Sequence, residues 1–242
     1  MSRPGCHPCA VSPLFSRRPT TDAARAYAAA PAPARGLGWR QVPWAVVDLE
    51  TTGLDPRRDE IVSFGVVPID GGRIVAGRAA YGLVRPARDV PAESIVIHGI
   101  RPADLARAPE APQALAPLLD ATAGRVLVAH AAWVERAFLR RALRPMRVGP
   151  REPIIDTVVL GRLLMHERDG VSPRHLSLAA LVSWLGLPAH RPHHALGDAL
   201  TTAQAFLALA SRLEADGPQT VASLAGTDRR LSGLQTFHPG PA

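Results

Sequence analysis

The sequence contains no lysine; all 28 of its basic residues are arginine. Alongside 24 prolines and 20 glycines in 242 residues, this reads as a bias of the coding sequence. The net charge of +7 is therefore weak evidence for a polyanionic partner. The charge is also uneven: residues 1–40 hold six arginines and one aspartate, a net +5, which leaves +2 for the remaining 202. Cysteine is nearly absent. Cys6 and Cys9 form one Cys-His-Pro-Cys, half of a zinc site with no second pair nearby at finger spacing, and read as incidental thiols. So few cysteines fit a reducing compartment. No stretch approaches 18 uninterrupted apolar residues, and the N-terminus lacks a compact apolar core. Neither a membrane span nor a secretory signal is expected, and the chain reads as cytoplasmic.

The length suits one domain with extensions. Residues 1–38, rich in Pro, Ala and Arg, show no sustained periodicity and read as a flexible basic arm with one helical turn near 22–29. Residues 39–215 read as the domain. From 216 to 242, Gly, Pro and Ser punctuate what reads as a loose tail.

The domain is organised around Trp44-Ala-Val-Val-Asp48-Leu-Glu50-Thr51-Thr52-Gly53. Four apolar residues run into two acids and stop at a Thr-Thr-Gly turn, the pattern of a buried strand. Alternation puts Asp48 and Glu50 on one face, about 7 Å apart. Desolvation and mutual repulsion oppose ionisation of two such carboxylates. A divalent cation with oxygen ligands would relieve both; a strand end facing solvent is the plainer alternative.

Glu60–Ile69 reads as a second strand, Asp70-Gly71-Gly72 as a hairpin turn, and Arg73–Val84 as a third strand with a bulge at Gly77. Short helices follow at 102–107 and 112–121. Arg125–Ala129 and Pro153–Ile155 are short strands, and helices are expected at 131–143, 157–167, 177–185 and 195–214. Three antiparallel strands followed by alternating strands and helices predict an α/β mixed sheet flanked by helices.

Three further segments carry chemistry. Glu135 is the only carboxylate between Asp120 and Glu152, about a turn into a helix; alone, it reads as a surface acid beside Arg136 or Arg140. His193-His194-Ala-Leu-Gly-Asp198 opens the last long helix, where Asp198 suits the helix dipole and His193 lies in the preceding loop. Histidine is the side chain most readily poised to take a proton near neutral pH. Asp156, after a strand and before a helix, reads as an N-cap rather than a ligand.

Asp48-Leu-Glu50-Thr-Thr-Gly, Val128-Ala-His130 through Phe138-Leu139, and His193-x-Ala-x-x-Asp198, in this order, resemble the DEDD exonuclease superfamily. More narrowly they resemble its histidine-bearing branch, which includes the proofreading epsilon subunit of bacterial DNA polymerase III. Val96-Ile97-His98-Gly99-Ile100 before Pro102-Ala103-Asp104-Leu105 is similar to the branch's His-Gly-Ile stretch. The resemblance covers roughly 43–214. It departs in the middle motif, where the family usually has Asp in place of Glu135, and Asn-x-x-Phe in place of Ala131-Ala-Trp-Val134.

The resemblance implies a ribonuclease-H-like fold, two Mg²⁺ or Mn²⁺ ions, and removal of nucleotides from 3′ ends. Asp48, Glu50 and Asp198 would ligate metal, Glu135 would stand for the fourth acid and His193 for the base. Thr51, Thr52, Gly53 and His98 would lie against the substrate. Two carboxylates about 4 Å apart repel by roughly 4 kcal/mol at an effective dielectric of about 20, which two divalent ions would offset. The implied partners are DNA 3′ ends before RNA, with a replication or repair polymerase and no membrane. An RNA 3′-end exonuclease, or a degenerate fold kept for nucleic-acid binding or polymerase docking, are the alternatives.

Overall fold

The computed structural model describes residues 18–228, 230 and 231. Six strands form one sheet: β1 (Trp44–Thr51), β2 (Ile61–Asp70), β3 (Arg73–Ile74), β4 (Ala80–Leu83), β5 (Val126–Ala129) and β6 (Ile154–Asp156). Their order is β3-β2-β1-β5-β6, with β4 also paired to β2. The β1–β2, β2–β3 and β2–β4 ladders are antiparallel, whereas β1–β5 and β5–β6 are parallel. The helices are α1 (Asp22–Ala29), α2 (Ala92–His98), α3 (Pro102–Leu105), α4 (Ala111–Ala114), α5 (Ala116–Thr122), α6 (Ala132–Leu143), α7 (Thr157–Asp169), α8 (Leu178–Leu185), α9 (Ala195–Ala215) and α10 (Val221–Ala225). Among the described residues, no helix is long and apolar enough to cross a membrane.

The sheet is covered on both faces, and the alternation of β1 decides which residue meets which layer. Trp44 and Val46 join the core beneath α7, α8 and α9, where Phe206 of α9 tilts against Trp44 at 4.9 Å. Ala45 and Val47 join the opposite core, beneath α1, α5 and α6, with Tyr27, Leu119 and Phe138. Carrying the period of two one step further puts Asp48 and Glu50 on the α9 face. The ladder pairs Asp48 with Gly65 and Glu50 with Ser63, then shifts register between Glu50 and Thr51. Such an irregularity re-aims side chains at a strand end.

Several expectations require correction. The single strand over 73–84 is divided into β3, a 3-10 turn at Ala76–Arg78 and β4. Gly77 lies in that turn with open space around it, so it marks no bulge. The helix expected over 112–121 is two helices, because Pro117 stands in the first turn of α5 and cannot donate to the turn before it.

Within residues 18–38 the helical turn expected near 22–29 is present as α1, but the stretch is packed onto the domain rather than loose. Thr21 caps α1 by accepting from Ala24 N–H at 3.1 Å, and Ala24 and Tyr27 are buried. Tyr27 Oη donates to Gly149 O and accepts from Arg151 N–H at 3.0 Å. One buried alanine and one buried tyrosine hold the helix, too little apolar bulk to leave a periodic pattern in the sequence. Residues 1–17, including Cys6 and Cys9, lie outside the described residues.

The loose tail is likewise corrected as far as Leu231. Thr220 and Ser223 cap each other's backbone at the start of α10, and Val221, Leu224 and Leu231 are buried. The two ends also meet, Trp39 N–H donating to Gln219 O at 2.9 Å and Ala222 N–H to Arg35 O at 2.9 Å.

Candidate active site

Asp48 and Glu50 project from the C-terminal half of β1 on the face that α9 crosses, and Asp198 lies in the first turn of α9. Glycine makes that crossing close. An added Cβ at Gly65 would stand 2.3 Å from Ala195 O and 2.5 Å from Leu196 N, so the start of α9 rests on bare β2 backbone. The result is a group in which carboxylate oxygens of Asp48, Glu50 and Asp198 lie within 4.8 Å of one another. It is the only group of three or more potential ligand side chains found among the described residues.

Burial dominates the electrostatics of the three acids. Burial first, then Glu135, Glu50 and Asp198, hold the Asp48 carboxyl well above the usual carboxylate range. Burial and Asp198 push Glu50 up to about 7. Asp198 is raised by burial, with the His193 N–H bond and the two nearby histidines opposing. Desolvation is common to all three shifts, and like charge adds to it at Asp48 and Glu50; a divalent cation would oppose both.

Glu135 stands in the first turn of α6 with 6% of its surface exposed. One of its carboxylate oxygens, Oε2, is buried without a hydrogen-bond partner. Burial, with Asp156 and Glu50, pushes it up to about 8. The surface pairing with Arg136 or Arg140 does not form; those arginines face Glu152 instead. Glu135 thus lies outside the compact group of three but within its field.

Asp156 caps α7 through Val158 N–H at 2.9 Å, as expected, and also accepts from Ala131 and Ala132 N–H at 3.1 and 2.9 Å. One carboxylate therefore closes the starts of α6 and α7 together. It also holds Ala131 at φ 59°, ψ 53°, a left-handed geometry that costs a non-glycine residue about 1–2 kcal/mol.

His193 is exposed at the rim. Its backbone has φ 58°, and its N–H donates to Asp198 Oδ2 at 2.9 Å. Thr51 Oγ donates to Gly53 O at 2.6 Å. Thr52 is buried, donating to Asp59 and accepting from Glu60 N–H, so its hydroxyl shapes the turn. Gly53 is pressed against Asp59, whose carboxylate lies 2.5 Å from where a Cβ would be. His98 stands apart from the acids at the end of α2. Its Nδ1 accepts from Ile100 N–H at 3.0 Å, its Nε2 is buried without a partner, and burial lowers its pKa. Ser94, also on α2, donates to Thr52 O at 2.8 Å and ties that helix to the turn.

Sequence reading passed over Gly65 and Tyr81. The available signal for the first was a glycine inside an apolar strand, which marks close approach of another backbone. Tyr81, on β4, offered none; its partner is 113 positions away.

Comparison with known proteins agrees with this geometry. Residues 45–206 match the family model described as Exonuclease. A DNA polymerase III subunit epsilon-like protein of Rhodobacter capsulatus is 40% identical over 182 residues, covering 73% of this chain and 25% of that protein. The chain thus spans about a quarter of that relative. Among solved structures, Exonuclease X in complex with 5′ overhanging duplex DNA superposes with a TM-score of 0.61 at 25% identity, covering 76% of this chain and 99% of that one. The nuclease domain of 3′hExo, a DEDDh family member bound to rAMP, superposes at 0.59 with 20% identity, covering 76% and 97%. The mixed sheet flanked by helices is accordingly a ribonuclease-H-like fold, and the chain belongs to the exonuclease family.

Proposed function

We propose that this chain is a 3′–5′ exonuclease that hydrolyses the terminal phosphodiester of a DNA strand with divalent-cation assistance. The observation that carries this is the group of Asp48, Glu50 and Asp198, three carboxylates within 4.8 Å on two elements. Hard oxygen donors of this kind suit Mg²⁺ or Mn²⁺. These three would hold the ions, with Glu135 as the fourth acid; its unpaired buried oxygen fits that assignment. When bound, a pair of such ions neutralises charge on the phosphate and on the attacking and departing oxygens.

The chain's own residues do the rest. His193 stands at the rim, where a ring nitrogen can take the proton of the attacking water. Water adds at phosphorus, the bond to the 3′ oxygen breaks, and a nucleoside 5′-monophosphate leaves. Leu54, Val96 and Ile97 are exposed apolar side chains on the turn after β1 and on the helix tied to it, suited to pack against a terminal base. The name of the Rhodobacter relative and the duplex DNA bound to Exonuclease X support DNA as substrate and a polymerase as partner.

The test is release of mononucleotides from matched 3′-labelled DNA and RNA strands, with Mg²⁺, Mn²⁺ or chelator. Metal-dependent release, faster on DNA, is expected, and Asp48→Ala should abolish it in a protein that remains folded. Equal turnover by that variant, or no release by the parent from either strand, overturns the reading.

A further inference from the structure

We infer that Tyr81 is a positioning residue: its ring, stacked on His194, holds the loop that presents His193 to the acidic group. This rests on the exonuclease reading above for the role of His193, and on the geometry alone for the role of the stack.

Three residues stand abreast across three strands. Asp48 of β1 pairs with Gly65 of β2, and Gly65 pairs with Tyr81 of β4. Directly paired residues face the same side of a sheet. That row therefore presents a carboxylate, a gap and a phenol ring to the start of α9. The gap takes the backbone of Ala195 and Leu196. On its far side the residue just before Ala195, His194, lies flat on Tyr81, with ring centroids 4.7 Å apart and planes 18° from parallel. On its near side Asp198 joins Asp48.

The loop before α9 needs such a hold. Arg191 and His193 have φ of 32° and 58°, conformations that side chains with a Cβ adopt at a cost. They persist only where neighbours fix them. Upstream, His190 N–H donates to Thr201 Oγ at 2.9 Å, and its ring meets Gln204 at 3.0 Å. Within the loop, Asp198 receives the His193 N–H at 2.9 Å. Downstream, the Tyr81 stack closes the last link. His193 itself makes no side-chain hydrogen bond in the described structure and is exposed, so its ring is aimed by backbone alone. Without the Tyr81 face, His194 is free to leave β4, and the αL turn at His193 loses its downstream anchor.

The ring face of Tyr81, not its hydroxyl, makes the contact with His194. Tyr81→Leu should lower kcat by between about ten- and a hundredfold, the scale of a misplaced catalytic group, with KM within about threefold. Tyr81→Phe should recover most of kcat. Amide hydrogen exchange over residues 191–195 of the full chain should speed up in Tyr81→Leu, and remain near parental in Tyr81→Phe. Exchange in β1 and in α9 beyond residue 200 should not change. A Leu variant with parental kcat overturns the inference, as does a Phe variant that fails as badly as Leu. Unchanged exchange over 191–195 overturns it as well, and needs no turnover to read. A parent that releases no nucleotide overturns the exonuclease reading instead, and with it the catalytic half of this one.

Discussion

Gly65 and Ala195 touch backbone to backbone: the carbonyl oxygen of Ala195 lies 2.3 Å from the point where a Gly65 side chain would begin. That contact sets how far α9 can descend onto β2, and so whether Asp198 reaches Asp48. Gly65→Ala should push α9 outward. Overpacking of this kind costs about 1–3 kcal/mol, a fall in Tm of roughly 3–10 °C for a chain of this size. Turnover should drop by more than tenfold even where the variant is fully folded. Gly36→Ala is the control, since nothing lies within 4 Å of its Cβ position. Equal activity of the two variants would show that the approach is not tight.

Protons and metal should compete for the same acids. Burial and neighbouring carboxylates push Glu50 and Glu135 up to about 7 and about 8 in the folded chain, against 4.5 ordinarily. Between those values the metal-free folded state holds more protons than the unfolded one, so stability falls as pH rises. Burial lowers the pKa values of His98, His130 and His194, which act oppositely, removing stability as pH falls below about 6.5. The clean window is therefore above that point. With chelator, Tm should fall from about pH 6.5 to about pH 8. Excess Mg²⁺ should raise Tm more at the upper end than at the lower. Thermal unfolding at the two pH values decides this, and a larger metal shift at the lower pH contradicts it.

Glu135 is the departure from the family's usual aspartate. Its carboxylate reaches roughly 1.5 Å further than that of Asp, about one carbon–carbon bond. Glu135→Gln preserves shape and removes charge, and should cost at least about tenfold in turnover. Glu135→Asp should cost less. A Gln variant as active as the parent would leave the site running on three carboxylates.

The two adjacent histidines should behave differently. His193→Ala should lower kcat by about 10²–10⁴-fold, the range for loss of a general base, with little change in affinity. His194→Ala removes the partner of Tyr81 and one positive influence on Asp198, and should cost less. Steady-state kinetics of both variants on one 3′-labelled strand compare them directly; a larger loss at His194 would move the base by one position.

The chain itself dictated the strand that carries Asp48 and Glu50, because strict alternation leaves an acid no choice of face. It also dictated the Asp156 cap and the helix that opens at His194-Ala195, since these follow from local geometry and capping chemistry. The acids of β1 and Asp198 were legible as separate motifs for the same reason. Their meeting was implied only by the family resemblance and not by any local pattern, since it depends on Gly65 allowing one backbone onto another across 130 positions. Nor was the burial of Glu135, which required α6 to turn its first acid inward while Arg136 and Arg140 face Glu152. The packed ends were misread because α1 and α10 bury only a few small or medium side chains, and such faces acquire their value only when the sheet and α5 are already there to receive them. Local periodicity and capping are properties of neighbours in sequence. The approach of backbones, the desolvation of acids and the stack of Tyr81 on His194 are properties of neighbours in space, and the tertiary structure alone decided them.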